Sequence, residues 1–260
     1  MASARGTGLD GGVQTFSLAE RPDLLDAFWS IPGDWPTFML QDPISDRAYE
    51  AAVEGFPQLH LVVMDGDVAV ARLHAVPLAA SIDSLPPRGW DWALQRAEWL
   101  VAKGGPPDLS TVSLIEARVA PDRRGEGLSG PLLVEARRRY AELGCRDLFG
   151  PVRPTRKALE PRSGADEYAR RVRDDGLPQD PWLRVHARLG GKVVEVAPLS
   201  MTIPGTLAQW REWTGLPFDV EGAVEVPGAL APVHVDIAND HAVYVEPNVW
   251  VHHDLRASAS

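Results

Sequence analysis

Residues 117–130 read ARVAPDRRGEGLSG, and this stretch combines positive charge with a flexible backbone. Arg123 and Arg124 supply the charge, while a Gly-x-Gly pair followed by Gly130 lets the backbone approach a ligand closely. Such a loop can bind a phosphate or a pyrophosphate. A Gly-x-Gly pair is also common in ordinary turns, and its spacing here matches neither a dinucleotide fingerprint nor a Walker loop. The spacing alone therefore leaves an anion site and a surface turn open.

The elements around this loop favour the anion site. Residues 110–120 form a β-rich run that Pro121 closes, so they are predicted as a strand. Residues 129–143 carry apolar side chains at helical spacing, with Ser129 as the predicted N-cap, and residues 147–152 are the next strand. The first N–H groups of a helix have no partner inside it. We therefore expect a parallel strand pair with a phosphate site at the intervening loop.

The remaining pattern is typical of a mixed α/β protein. Residues 58–64 and 68–76 flank an Asp-Gly-Asp turn and are predicted as a hairpin. Residues 89–103 carry apolar side chains on one helical face and are predicted as a helix. Three further elements are predicted toward the C-terminus: a helix that begins at Asp180, a strand over residues 192–197, and a hairpin that turns at Asn239.

Residues 154–179 form a long segment rich in charge, glycine and proline. A segment of this length inside a compact domain is usually functional or mobile. Its basic residues, with Arg153 just before it, suit either a solvated loop or a lid over an anionic ligand. These residues are Arg153, Arg156, Lys157 and Arg162.

Composition limits the class of protein. The 260 residues carry a formal net charge of −10, which argues against nucleic-acid binding because phosphate backbones select basic surfaces. An acidic surface is compatible with a cationic substrate, although most acidic surfaces serve solubility. The single cysteine, Cys145, excludes an internal disulfide and fits a reducing cytoplasm. The sequence shows neither a secretory signal nor a run of about 20 apolar residues, so we expect a cytoplasmic protein without a membrane span.

The loop and its flanks resemble a known cofactor-binding motif. VAPDRRGEGLSGPLL is similar to the acyl-CoA-binding motif of the GCN5-related N-acetyltransferase (GNAT) superfamily, Gln/Arg-x-x-Gly-x-Gly/Ala after a strand that ends in Val-x-Pro. Arg124, Gly127 and Ser129 stand at the fixed positions, where serine replaces the usual glycine or alanine. Further on, WLRVHARLGGKVVEV resembles the later helix and strand of the family, which usually carry Tyr-x-x-x-Gly-Phe. The resemblance covers residues 13–197.

This resemblance implies a fold and a division of the chain. The implied fold class is α/β (α+β), with a GNAT-like mixed, mostly antiparallel central sheet, a splayed parallel strand pair, flanking helices and a C-terminal β extension. The chain is expected to comprise a flexible tail (1–12), an acyltransferase core (13–200) and an extension (201–260) that packs on the core. The extension is expected to cover the sheet or to mediate self-association, which leaves a homodimer open.

The resemblance also implies a reaction. It is that of an acyl-CoA-dependent N-acyltransferase, with acetyl-CoA as the default donor, a small-molecule amine as the acceptor and no metal. The loop amides are expected to hold the CoA pyrophosphate, and the end of the preceding strand is expected to pair with the pantetheine amides. The implied cofactor contacts are Ala117, Arg118, Val119, Arg124, Gly125, Glu126, Gly127, Leu128, Ser129 and Gly130.

Two residues are the catalytic candidates. Glu116 is an ionisable residue within the strand, where family members often carry an acidic residue, and its carboxylate is the candidate base that takes the amine proton. The other interpretation is an ordinary ion pair with Arg118. His186 stands where the family tyrosine usually protonates the departing thiolate, but it can equally pack beside Trp182 and Leu189. The missing tyrosine leaves two alternatives open: an acyl-CoA-binding module or sensor, and a different acyl-CoA reaction such as decarboxylation or O-acylation.

Overall fold

One mixed sheet forms the centre of the protein. The computed structural model describes residues 7–9, 12–104 and 108–256. The strands are β1 (Thr7–Leu9), β2 (Val13–Ser17), β3 (Leu61–Asp65), β4 (Val68–Pro77), β5 (Thr111–Val119), β6 (Asp147–Val152), β7 (Lys192–Gly205), β8 (Gly222–Val224), β9 (Val233–Asp236) and β10 (His241–Asp254). The sheet order within the described residues is β1-β2-β3-β4-β5-β6-β10-β9-β8, and β7 pairs with β10.

The N-terminal half of the sheet is an antiparallel meander. The strands β2, β3, β4 and β5 pair in sequence, and Gly66 takes a positive φ of 57° in the tight turn between β3 and β4. The predicted hairpin at the Asp-Gly-Asp turn is therefore confirmed. Within the predicted tail, β1 pairs with β2, while residues 1–6 and 10–11 lie outside the described residues.

The parallel strand pair opens the sheet. The strands β5 and β6 pair in parallel, but only Thr111–Ser113 has partners, at residues 147–149. Beyond this point β5 continues to Val119 and β6 to Val152 without pairing to each other. The expected mostly antiparallel sheet with a splayed parallel pair is therefore confirmed, and the splay leaves a wedge between the two strands.

Helices pack against the strands of the sheet. They are α1 (Leu25–Ser30), α2 (Ser45–Gly55), α3 (Gly89–Lys103), α4 (Ser129–Glu142), α5 (Ala165–Ala169), α6 (Pro181–Arg188) and α7 (Leu207–Thr214). The helix α3 buries Trp90, Ala93, Leu94 and Ala97 in the main core, as its periodicity predicts. In the described part of the chain, no helix combines the length and the apolar character that crossing a membrane requires.

The helix α4 connects β5 to β6, and its start differs in one detail from the prediction. Ser129 is the first helical residue rather than the N-cap, because Leu128 occupies the cap position and offers no side-chain acceptor. Other helices of the chain are capped: Asp180 accepts from the amides of Trp182 and Leu183, and Thr206 forms a capping box at α7. The first turn of α4 therefore keeps its amides free of a side-chain cap.

The segment between β6 and α6 is held to the protein by buried contacts. The Lys157 ammonium is buried and donates to the carbonyls of Glu160, Pro161 and Leu230. The Tyr168 hydroxyl donates to the Asp180 carboxylate at 2.9 Å. The idea of a lid in which Lys157 meets an anion is therefore wrong, since its three donors already have acceptors.

The C-terminal strand lies inside the sheet. The strand β10 pairs along one edge with β7 and along the other with β6 and then β9, all antiparallel. The predicted hairpin at Asn239 is confirmed, whereas β7 runs eight residues past the predicted end at position 197, to Gly205. The division of the chain at position 200 stays a prediction.

Candidate active site

A cleft of about 1140 Å³ opens at the wedge between β5 and β6. One end is formed by the loop that precedes α4, and the middle by the diverging strand ends from Leu114 to Val119 and from Gly150 to Arg153. Residues of α2 and the aromatic residues Trp29, Trp35 and Trp90 also line it. The cleft thus contains both the loop and a group of aromatic side chains, which we call the aromatic chamber.

The loop before α4 presents free amides to this cleft. Gly125 and Gly127 take positive φ values of 86° and 77°, which glycine adopts without the steric cost that a Cβ would impose. Among the described residues, the amides from Gly125 to Leu128 donate to no protein acceptor. Together with the uncapped start of α4, they form a cradle with partial positive charge at the helix N-terminus. This geometry can bind a phosphate or pyrophosphate through several hydrogen bonds at once.

The two loop arginines use their charge in ion pairs. Arg124 binds both carboxylate oxygens of Asp34, at 2.6 and 2.7 Å, and lowers the pKa of that carboxyl. Arg123 donates to Glu126 and to Asp65. Both pairs are substantially exposed, and exposed pairs contribute little, about 0–1 kcal/mol each. A bound phosphate can therefore compete with Asp34 for Arg124.

The end of β5 offers a free strand edge. Ala117, Arg118 and Val119 pair with β4 on one side, and no described strand covers the other side beyond Ser113. Unpaired N–H and C=O groups on such an edge can add an extended ligand as a further strand. The sequence-predicted contacts at Ala117 and Val119 therefore face the wedge, together with the cradle at its end.

Glu116 lies in the cleft as an ion-paired carboxylate. Its oxygens accept from Arg72 Nε at 2.7 Å and from Arg118 at 2.5 Å, and its side chain is only 7% exposed. Arg72 in turn donates to the carbonyl of Phe28, and Arg118 to that of Ile31. The ion pair with Arg118 that the sequence left open is present, and a second arginine completes it.

His186, on α6, also lines the cleft. Its Nδ1 is 2.9 Å from Nε2 of His253, and Nε2 has no partner among the described residues. Burial lowers the pKa of His186 to about 4 and that of His253 to about 3. His186 is therefore neutral at pH 7, so it can donate a hydrogen bond but carries no imidazolium proton.

Tyr168 takes no part in the cleft, because its hydroxyl is bound to Asp180. Burial raises the pKa of Tyr168 well above the usual range of tyrosine. The assignment of His186 to the position of the family tyrosine stays a prediction.

Several cleft residues are absent from the sequence predictions. Glu246 is fully buried and accepts from Arg153 at 2.9 Å, from the Tyr244 hydroxyl at 2.8 Å and from Asn248 at 3.0 Å. The Arg153 guanidinium also lies 5.3 Å from the centre of the Trp35 ring. Arg153 is therefore part of the cleft wall rather than of a mobile lid. The available signal was Glu246 itself, a glutamate that directly follows the apolar run AVYV in β10.

Tyr49 closes the floor of the aromatic chamber. Its ring stacks 4.4 Å from His74 and lies 5.6 Å from Trp90. His74 is fully buried between Tyr49 and His60, and burial holds its pKa well below the usual range. The chamber floor is therefore neutral and aromatic. Within the described residues, no group of His, Cys, Asp and Glu side chains is arranged to hold a metal ion.

Replacement of Gly127 by alanine tests the cradle. Alanine at a φ of 77° is strained, so the loop has to change its shape, and we expect the KM for acetyl-CoA to rise about tenfold. Gly144→Ala is the matched control, because Gly144 has a φ of 89° at the far end of α4 and its added Cβ likewise meets no atom within 4 Å. Equal effects of both variants on the KM for acetyl-CoA contradict the assignment of the cradle.

Comparison with known proteins agrees with this geometry. No family model matches the chain. It is 30% identical, over an alignment of 280 positions, to the arginine N-acetyltransferase avaD of Aspergillus versicolor, an alignment that covers 96% of this chain and 97% of the relative.

Two solved structures share the fold. The loading GNATL domain of CurA from Lyngbya majuscula has a TM-score of 0.57 at 14% identity, covering 94% of this chain and 98% of that domain. The GphF GNAT-like decarboxylase in complex with isobutyryl-CoA has a TM-score of 0.50 at 18% identity, covering 94% of this chain and 99% of that protein. At these identities the likeness concerns the fold.

A splayed parallel pair with an amide cradle at the helix that follows defines a CoA-dependent acyltransferase. With the relative at 30% identity over nearly the whole chain, the chain belongs to the GNAT superfamily of N-acetyltransferases. It is an acyl-CoA-dependent N-acyltransferase, with the acyl-CoA as co-substrate and an amine as acceptor.

Proposed function

We propose that this enzyme transfers an acyl group, by default acetyl, to the amine of a cationic amino acid of the arginine type. The observation that carries the proposal is the continuity of the cleft, which joins free loop amides to a chamber of aromatic rings and carboxylates. The chamber offers both charge signs, as an amino acid with a cationic side chain requires. The relative that is an arginine N-acetyltransferase supports the same class of acceptor.

The donor is held at the cradle and along the free edge of β5 in this proposal. The pyrophosphate binds the amides of the loop and of the first turn of α4, and Arg124 exchanges Asp34 for a phosphate oxygen. The pantetheine amides pair with the backbone of β5, which places the thioester near Glu116. The proposed donor contacts are Ala117, Arg118, Val119, Arg124, Gly125, Glu126, Gly127, Leu128, Ser129 and Gly130.

The acceptor amine attacks the thioester directly. Its nitrogen bonds to the carbonyl carbon, the C–S bond breaks, and CoA departs as a thiolate. Glu116 takes the proton that the amine loses, directly or through a water molecule. Its two arginine partners leave lone pairs on both carboxylate oxygens, which is sufficient for a further hydrogen bond.

His186 supports the departing sulfur. In the tautomer in which His253 donates to Nδ1 of His186, the His186 Nε2–H is the donor that remains for the cleft. We assign it a hydrogen bond to the thiolate as negative charge develops there. Because this histidine is neutral, the proton that finally neutralises the thiolate comes from solvent.

Replacement of His186 by phenylalanine measures this contribution. A hydrogen bond to a charged group contributes about 1.5–3 kcal/mol, so we expect kcat to fall roughly 10- to 100-fold with little change in KM. The wild-type rate should also show no titration by this residue between pH 6 and 8, since its pKa is about 4. An unchanged kcat in His186→Phe removes His186 from the reaction.

The proposed function is tested by product analysis. The purified enzyme is incubated with acetyl-CoA and single amino acids, thiol release is followed, and mass spectrometry locates the acetyl group on the product. We expect thiol release with arginine and an N-acetylated product. Binding of acetyl-CoA without thiol release across the amino-acid panel favours a binding module instead, and release of CO₂ from a carboxyacyl-CoA favours decarboxylation.

Cellular location and assembly belong to the same proposal. Cys145 is buried, and burial raises the pKa of its thiol to about 12, which suits a structural residue in a reducing cytoplasm. A homodimer remains a prediction, and light scattering of the purified chain measures it.

A further inference from the structure

The carboxylates of the cleft differ in whether they already have a cationic partner. Asp34 is paired with Arg124, Glu116 with Arg72 and Arg118, and Glu246 with Arg153. Glu50, on α2, also lines the cleft, and no ion pair or hydrogen bond is found for its side chain among the described residues. It is the cleft carboxylate whose negative charge is left for a ligand.

Glu50 lines the same cleft as Trp29, an aromatic side chain that accepts cations. The next residue in the helix, Tyr49, has its ring 6.3 Å from that of Trp29, whose side chain is 37% exposed within the cleft wall. The chain's own Arg72 guanidinium already lies 5.2 Å from the centre of the Trp29 ring. A planar guanidinium binds a carboxylate in its plane and an aromatic ring on its face, so both partners of such a group are present here.

The position of Glu50 relative to Glu116 suits an acceptor with two separate polar ends. The Tyr49 ring lies 5.6 Å from that of Trp90, and Trp90 Nε1 donates to the carbonyl of Ile115, the residue before Glu116. Glu116 is buried in the cleft wall and Glu50 is exposed, and both line the same cleft. An amine at Glu116 and a cationic group at Glu50 can thus belong to one molecule.

We propose that Glu50 is the specificity-determining residue that binds the cationic side-chain end of the acceptor, with Trp29 against its face. The inference rests on the proposed function, because it assigns each end of the arginine-type acceptor to one glutamate of the cleft. The reacting amine lies at Glu116, and the guanidinium lies at Glu50. Glu246 does not compete for the guanidinium, since Arg153 neutralises it, and Asp34 lies beside Arg124 at the loop that precedes α4.

The test compares arginine with citrulline in Glu50→Gln. Citrulline has the same shape but carries a neutral ureido group in place of the guanidinium. For the wild-type enzyme we expect a higher kcat/KM with arginine than with citrulline. In Glu50→Gln we expect kcat/KM for arginine to fall about 10- to 100-fold, mainly through KM, while citrulline is nearly unaffected.

Glu54→Gln is the matched control. Glu54 lies one turn further along α2, is also exposed and is not among the residues that line the cleft, so its replacement removes the same charge from the same helix. We expect Glu54→Gln to keep the wild-type preference for arginine. Because both side chains are exposed, melting temperatures of the two variants should match that of the wild-type protein within a few degrees.

The outcomes separate this inference from the proposed function. A wild-type enzyme that acylates no cationic amino acid overturns both. A wild-type enzyme that prefers arginine, together with a Glu50→Gln variant that keeps the preference, overturns the assignment of Glu50 alone. An equal loss of kcat/KM for arginine and for citrulline also overturns the assignment of Glu50. Such a loss shows that Glu50 affects both acceptors whether or not they carry a charged guanidinium.

Discussion

Replacement of Glu116 by glutamine is expected to lower kcat by roughly 10²- to 10⁴-fold, the usual contribution of a positioned general base. Glutamine keeps the shape of the side chain but cannot take a proton from the attacking amine. The loss should appear at saturating concentrations of both substrates, while acetyl-CoA binding measured by calorimetry stays within a few fold of the wild-type value. The steady-state kcat with arginine is the measurement that decides.

The same substitution also affects the fold, and a control has to separate the two effects. Glu116 is the buried partner of Arg72 and Arg118, and removal of one partner from a buried ion pair costs about 3–5 kcal/mol. Glu135 is a matched case outside the cleft, because its carboxylate binds Arg138 and Arg139 and its side chain is 9% exposed.

Glu135→Gln should therefore lower the melting temperature to a similar degree and leave kcat unchanged. If Glu116→Gln lowers the melting temperature but retains its turnover, the ion pair with the arginines is the whole role of Glu116. If both variants lose turnover equally, the loss follows from stability rather than from proton transfer.

The local elements of this protein could be predicted from its sequence because their signals are local. The turn at Asp65-Gly66-Asp67 and the apolar face of α3 depend on neighbouring residues, and both are present in the structure. The cradle was predictable for the same reason, since its glycines and the start of α4 are consecutive. The prediction of Ser129 as the N-cap of α4 was wrong by one position, because Leu128 is the N-cap residue. Such a prediction depends on the exact residue at which the helix begins.

The partners of the site residues could not be predicted, because they come from distant parts of the chain. Arg124 and its partner Asp34 are 90 positions apart, and Glu116 is 44 positions from Arg72. His186 meets His253 across 67 positions. Spacing along the chain carries no information about such pairs, so the residue types of the site were predictable but the charge that each of them retains was not.

The aromatic chamber was missed for a related reason. Tryptophan is usually a core residue, and the apolar pattern around Trp29 is that of an ordinary amphipathic helix. Only the tertiary structure separates Trp210 and Trp250, which are fully buried, from Trp29 and Trp35, which are each 37% exposed in the cleft. Exposure, rather than residue type, marks the rings that are available to a substrate.

A buried pair of carboxyl groups underlies the last prediction. Asp42 and Asp91 are both buried, and the Asp91 side chain is fully buried with Arg88 3.9 Å away. Neither oxygen of Asp91 has a hydrogen-bond donor among the described residues. Burial, and then the neighbouring Asp42, raise the pKa of Asp91 to about 8. The Asp91 carboxyl group is therefore protonated at neutral pH.

Replacement of Asp91 by asparagine is expected to stabilise the protein at alkaline pH. The pKa of Asp91 is higher in the folded than in the unfolded chain, so the folded state holds the extra proton and the free energy of unfolding falls as pH rises from about 4 to about 8. A shift of this size corresponds to at most roughly 5–6 kcal/mol, and we expect on the order of 2 kcal/mol because Arg88 offsets part of the charge.

The asparagine amide can donate to Asp42 at every pH, so the variant lacks this loss of stability. Thermal unfolding of both proteins between pH 4 and pH 9 should therefore show curves that nearly coincide at acid pH and diverge steadily until about pH 8. Asp26→Asn is the control for loss of an acidic charge from the first turn of a helix, since Asp26 is exposed on α1. A variant that is less stable than the wild type at pH 9 would show that Asp91 is charged in the fold and that Arg88 is its partner.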